Sequence, residues 1–139
     1  MDVQTRQFVR LRAKGHCEYC HLPESADPFR AFHMEHVIAR QHGGSDNVDN
    51  LCWSCSRCNL RKGTNLASID GDSGTLVSLF NPRKQSWTEH FKLDQSRIIG
   101  LTSTGRATVR LLDMNASHRV KLRAELIDAG KFSAEAEQP

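Results

Sequence analysis

Two Cys-x-x-Cys pairs, Cys17/Cys20 and Cys55/Cys58, constrain this chain more than any other feature. A two-residue gap lets one turn of backbone present both sulfurs to a single ion, and four thiolates complete a tetrahedron around zinc. Two such pairs make a closed structural site, not an open catalytic one. Residues 21–54 separate the pairs, a longer span than in compact zinc ribbons, with room for a two-stranded insert whose base the metal would clamp. A redox dithiol needs only one pair, in a strand–helix setting that this region lacks. Cys52, Cys55 and Cys58 are evenly spaced, so Cys52/Cys55 also reads Cys-x-x-Cys. We assign Cys55 and Cys58 to the metal and Cys52 to apolar packing beside Leu51 and Trp53.

A staple of this kind suits the composition. Aromatic residues make up 6% of the 139, so the core is thin, and small cores need reinforcement. Lys and Arg total 19 against 16 Asp and Glu, a formal charge of +3 that argues neither for nor against nucleic acid. Local clusters must decide that. Residues 1–6 hold no apolar segment of a secretory signal, and no apolar run is long enough to span a bilayer. The expected location is a reducing cytoplasm, with no membrane partner.

Along the chain, the pattern predicts a helix over residues 3–14, with Phe8 and Leu11 on one face and Gly15 as its stop. Residues 31–40 read as a strand, and Gly43-Gly44-Ser45-Asp46 as a turn. Asp46 or Asn47 is then expected to cap a helical segment through 48–62, with Gly63 ending it. Residues 64–74 read as a polar linker. Beyond it, Thr75–Phe80 reads as a strand, and Glu89–Leu93 with Arg97–Leu101 as a hairpin. Trp87-Thr88-Glu89-His90-Phe91 reads as strand packing. Residues 105–114 have helical spacing. Ser117 is expected to cap a last helix, burying Val120, Ala124 and Ile127. Residues 133–139 read as a frayed tail. The fold class is α+β: a core over 1–65, an extension over 75–132, and the tail.

Inside the cysteine clamp lie His33-Met34-Glu35-His36. Glu35 offers a hard oxygen to magnesium or a similar ion. His36 is the side chain best placed to take a proton near neutral pH. Neighbours on a strand point to opposite faces, so both serve one site only at a bend or at the strand edge. Asn50 and Asn59 are amides able to orient an imidazole or ligate a metal, though Asn50 would serve equally as a helix cap. Phosphodiester hydrolysis needs these parts: an activated water, and a cation to offset charge on the leaving oxygen.

At these residues the sequence resembles the HNH endonuclease family in its zinc-containing branch, whose catalytic unit is a ββα-metal fold. The pieces that carry the resemblance are Cys17-Glu18-Tyr19-Cys20, Phe32 to Val37, Gly43 to Asp46, Asn50-Leu51, Cys55-Ser56-Arg57-Cys58-Asn59 and Lys62-Gly63. The resemblance implies His36 as general base and Glu35, where the family often has Asp, as ligand of a catalytic divalent ion, Mg²⁺ or Mn²⁺. It implies Asn59 as a second ligand of that ion, in place of the last His of the family name. Asn50 would position the base and shape the loop. Cys17, Cys20, Cys55 and Cys58 would hold structural Zn²⁺. The implied activity is one-metal hydrolysis of DNA. Residues 75–132 are similar to an extension found on some bacterial members.

Arg57, Arg61 and Lys62 are the expected phosphate contacts, with Arg40 behind them. His33 and His42 flank the site, as a strand residue and a loop residue. A monomer cuts one strand most simply, so cutting both would call for a homodimer. The rival reading is a non-catalytic zinc-stapled module that binds nucleic acid. Such a module would keep the cysteines but has no need for Glu35, His36 and Asn59 together. A thiol redox protein would show thiol reactivity in place of bound zinc.

Overall fold

The computed structural model describes residues 2–132; the expected tail at 133–139 lies outside the described residues. Helix α1 spans Val3–Arg12, and the Asp2 carboxylate caps it by accepting from the Thr5 N–H at 2.6 Å. It turns off through Lys14 and Gly15, both at positive φ. Its buried residue is Val9, whereas Phe8 and Leu11 are exposed. The helix is instead oriented by its charges. Arg6 lies over the Trp53 ring at 4.7 Å, and Arg12 donates to the Val48 and Leu51 carbonyls.

Strand β1 is shorter than expected, His33–His36, and pairs antiparallel with β2, Leu51–Ser54. The expected helix over 48–62 is thus corrected. Leu51, Cys52, Trp53 and Ser54 are all buried, so the run has no polar face and its periodicity does not separate strand from helix. Helix α2 begins only at Ser56 and runs to Lys62. Cys55 is its cap: the Sγ accepts from the Cys58 N–H at 3.4 Å, so a metal-site cysteine also starts the helix.

The expected linker at 64–74 holds β3, Ala67–Ile69, paired with β4, Leu76–Ser78. Asp70 closes the turn between them, bonding the Asp72 N–H and the Ser73 hydroxyl. Arg106 then grips Asp70 through two parallel bonds, which hold that carboxyl far below its usual range. Trp87–His90 forms a one-turn helix, α3, not a strand. The hairpin follows as β5, Phe91–Asp94, and β6, Arg97–Gly100, turning at Gln95 and Ser96. Helix α4 covers Ser103–Leu111, capped by Thr102. Gly105 lets α4 approach closely: a Cβ there would lie 2.1 Å from the His90 carbonyl oxygen.

Helix α5 spans Ser117–Asp128, with Ala116 in the cap position where Ser117 was expected. Its buried residues are Arg119 and Arg123, while Val120, Ala124 and Ile127 are half-buried. Both arginines bond backbone carbonyls: Arg119 those of Leu112 and Asp113, Arg123 those of Ser96 and Met114. One apolar cluster runs through the whole, joining Val9, Tyr19, Leu51 and Trp53 to Phe80, Trp87, Phe91 and Leu112. The architecture is α+β, three two-stranded antiparallel sheets with helices between and around them. No helix among the described residues is long and apolar enough to cross a membrane.

Candidate functional site

The 17–20 loop and the first turn of α2 bring Cys17, Cys20, Cys55 and Cys58 together, with their sulfurs all within 4.8 Å of one another. Cys20 Sγ and Cys55 Sγ are 3.7 Å apart, against an edge of about 3.8 Å for a tetrahedron of zinc–sulfur bonds. The Cys20 N–H points at Cys17 Sγ as the Cys58 N–H points at Cys55 Sγ. Burial pushes the Cys17 and Cys58 thiols well up, while hydrogen bonds from the other cysteines hold Cys20 well down, so a cation is what would make thiolates of Cys17 and Cys58. The four fit a structural metal such as zinc. Cys52 stands apart on β2, with its Sγ 3.4 Å from Glu35 Oε2 and 3.7 Å from the Tyr19 hydroxyl.

Sequence reading missed Arg119. Its Nη2 donates to Cys58 Sγ at 3.1 Å, from a helix 61 residues further along the chain. Burial opposes its charge, but the sulfurs of Cys58, Cys20 and Cys55 outweigh that and hold its pKa above the ordinary range.

His36 ends β1, and its Nε2 lies 2.8 Å from Asp46 Oδ1. Arg40 donates to the same oxygen at 3.0 Å. These two partners, His36 first, hold the Asp46 carboxyl below its usual range. An ionised carboxylate only accepts, so in the neutral tautomer that suits this contact the proton sits on His36 Nε2 and Nδ1 has the lone pair. Asp46 was read as a turn residue or cap; its role as the partner of His36 needed the folded loop. That loop, 37–50, is tied by Asn50. The Asn50 Oδ1 accepts from the Ile38 N–H, and its Nδ2 donates to the Ile38 and Ser45 carbonyls. Asn50 thus shapes the loop, and Asp46 holds the histidine. Gly44 is required where it stands, because a Cβ there would lie 1.7 Å from the Ile38 carbonyl oxygen.

Glu35 pairs with Cys52 across the hairpin and faces α2, on the opposite side of β1 from His36. It is 7% exposed, and burial raises its carboxyl above the usual range, opposed by Lys62, Cys52 and Tyr19. Lys62 Nζ lies 3.3 Å from Glu35 Oε1 and donates to the Val37 carbonyl at 3.0 Å. Lys62, expected at the DNA backbone, is 1% exposed and belongs to the interior. Asn59 sits one helical turn before Lys62, and its side chain makes no hydrogen bond among the described residues. Glu35 Oε1 is buried with no hydrogen bond of its own. Glu35 on β1 and Asn59 on α2 are hard oxygen donors, and the Lys62 ammonium is the charge that faces Glu35 Oε1.

Of the other expected residues, Arg57 is half-buried and has no hydrogen bond or ion pair among the described residues, so its charge is unused. Arg61 is exposed and bonds Asp113 at 2.9 Å. His42 bonds the Thr64 carbonyl, and His33 is exposed at the start of β1.

A four-cysteine clamp around a ββα hairpin, with a histidine–carboxylate pair at the strand edge, has its counterpart among known families. Residues 17–65 match the HNH endonuclease family model. The matched HNH segment begins at the first metal-site cysteine and takes in β1, β2 and α2. It supports a nuclease-type function in general. No curated protein and no solved structure matches the chain.

Proposed function

We propose that the protein is a DNA endonuclease that hydrolyses phosphodiester bonds, with His36 as general base. The observation that carries this reading is the His36–Asp46 pair inside the HNH segment. Asp46 fixes the imidazole by accepting from Nε2, and Nδ1 accepts a proton from the attacking water. Asn50 keeps the loop closed so that Asp46 stays in reach. A divalent ion, Mg²⁺ or Mn²⁺, held by Glu35 and Asn59 would act as Lewis acid toward charge on the leaving oxygen. Arg57, and Arg61 once freed from Asp113, are the nearest candidates for the phosphate backbone. Zn²⁺ on the four cysteines fixes the hairpin to α2 and stays outside the chemistry.

One observation favours the rival reading of a non-catalytic binding module. Lys62 already neutralises Glu35, as an inert core would arrange. Incubation of supercoiled plasmid with added Mg²⁺ or Mn²⁺ decides between them. The nuclease converts it to nicked or linear product and stops when the divalent ion is withheld, with zinc still bound. A protein that retards the plasmid yet leaves it supercoiled under every metal is the binding module.

A further inference from the structure

A basic cleft lies apart from Glu35 and Asn59. A cleft of about 660 Å³ runs between the segment after α1 and residues 80–88 of the extension. Arg12, Lys14 and His16 line one side, and Arg83 and Lys84 the other. Glu18 is the one acid among the described lining residues, and its oxygens are taken by Arg83 and by the Trp53 N–H.

The two arginines are incompletely satisfied. The Nε atoms of Arg12 and Arg83 are buried without a hydrogen bond. Burial brings the Arg83 guanidinium down to about 10, with repulsion from Arg12 adding to it, and burial lowers Arg12 as well. Buried positive charge with spare donors is the complement of an anion. The wall offers charge and no open ring face, since Trp87 is 4% exposed and stacked on His21. Such a surface suits phosphates better than bases.

Arg12 also links the cleft to the proposed chemistry. Its Nη1 donates to the Val48 carbonyl at 3.0 Å and its Nη2 to the Leu51 carbonyl at 2.6 Å. Val48 belongs to the loop that carries Asp46, and Leu51 pairs with His36 across the hairpin. Arg12 thus ties the wall of the cleft to the hairpin on which His36 stands.

We propose that the cleft between residues 12–18 and 80–88 binds the phosphate backbone of the DNA flanking the cut, with Lys14 and Lys84 as its exposed contacts. This rests on the reading of DNA as substrate. It gives the C-terminal extension a part in substrate binding beside Arg57 and Arg61 of the HNH segment.

The test is binding of a labelled DNA duplex across a salt series, with no divalent ion added so that binding is read alone. Lys14 and Lys84 are both exposed, so Lys14→Glu/Lys84→Glu should keep wild-type zinc content and melting temperature. We expect this variant to bind about tenfold more weakly at moderate salt, with a salt slope shallower by about two. Lys92→Glu/Lys121→Glu, changed at exposed sites away from the cleft, should bind as wild type does. Equal affinity and slope for the cleft variant and wild type would overturn the cleft assignment and leave the nuclease reading standing. Wild type that cuts no plasmid and binds no duplex would overturn both.

Discussion

Asp46 decides what His36 can do. The imidazole is partly buried, and without an acceptor on Nε2 either tautomer would be open to it. With Asp46 ionised, the lone pair belongs to Nδ1. Asp46→Asn keeps the size of the side chain but can turn an N–H toward the ring and favour the wrong tautomer. We expect its cleavage rate to fall by about 10²-fold with zinc content and melting temperature unchanged. Unchanged rates would show that the contact does not serve catalysis. Arg119 acts at the same scale on the other metal. It is the guanidinium that reaches the sulfur cage, and Arg119→Leu should weaken zinc binding by about 10–100-fold, read by competition with a chromogenic chelator. Wild-type zinc affinity in that variant would reduce Arg119 to a carbonyl clasp. The cysteines were legible in the sequence because the spacing within each pair is local. Asp46 and Arg119 were not, because each meets its partner only after a loop closes or a distant helix docks.

Among the elements, β1 and α2 are joined by one buried ion pair in addition to the metal cage. Lys62 crosses from α2 to Glu35 and to the Val37 carbonyl. Removing one member of a buried pair leaves the other charged and unpaired, so Lys62→Met should cost about 3–5 kcal/mol in urea unfolding. Glu35→Gln/Lys62→Met should recover a large part of that loss. If Lys62→Met were as stable as wild type, the pair would hold nothing together. The pair also explains where pattern reading went astray. A basic residue after Arg61 reads as a solvated helix end, yet Cys55, Cys58 and Lys62 share one inward face at helical spacing. Leu51–Ser54 reads as helix in the pattern because a fully buried run carries no period. The hairpin at Phe91–Gly100 was legible because its apolar strands flank a polar turn.

Across the whole molecule, the extension buttresses the HNH segment. Trp87 donates its Nε1–H to the Tyr19 carbonyl at 2.8 Å, Arg83 pairs with Glu18, and Arg119 reaches Cys58. The polar stretch at 64–74 suggested a boundary, but the contacts across it are long-range and leave no local trace. We propose that residues 1–65 hold the chemistry while 75–132 brace the zinc site and widen the DNA path. The nuclease reading as a whole meets its sharpest check in one comparison: the first-order rate of plasmid cleavage by wild type and by His36→Ala, at equal zinc content and saturating Mn²⁺ or Mg²⁺. We expect His36→Ala to be slower by about 10²–10⁴-fold. Equal rates in the two proteins would remove His36 as the base and contradict the nuclease mechanism proposed for this chain.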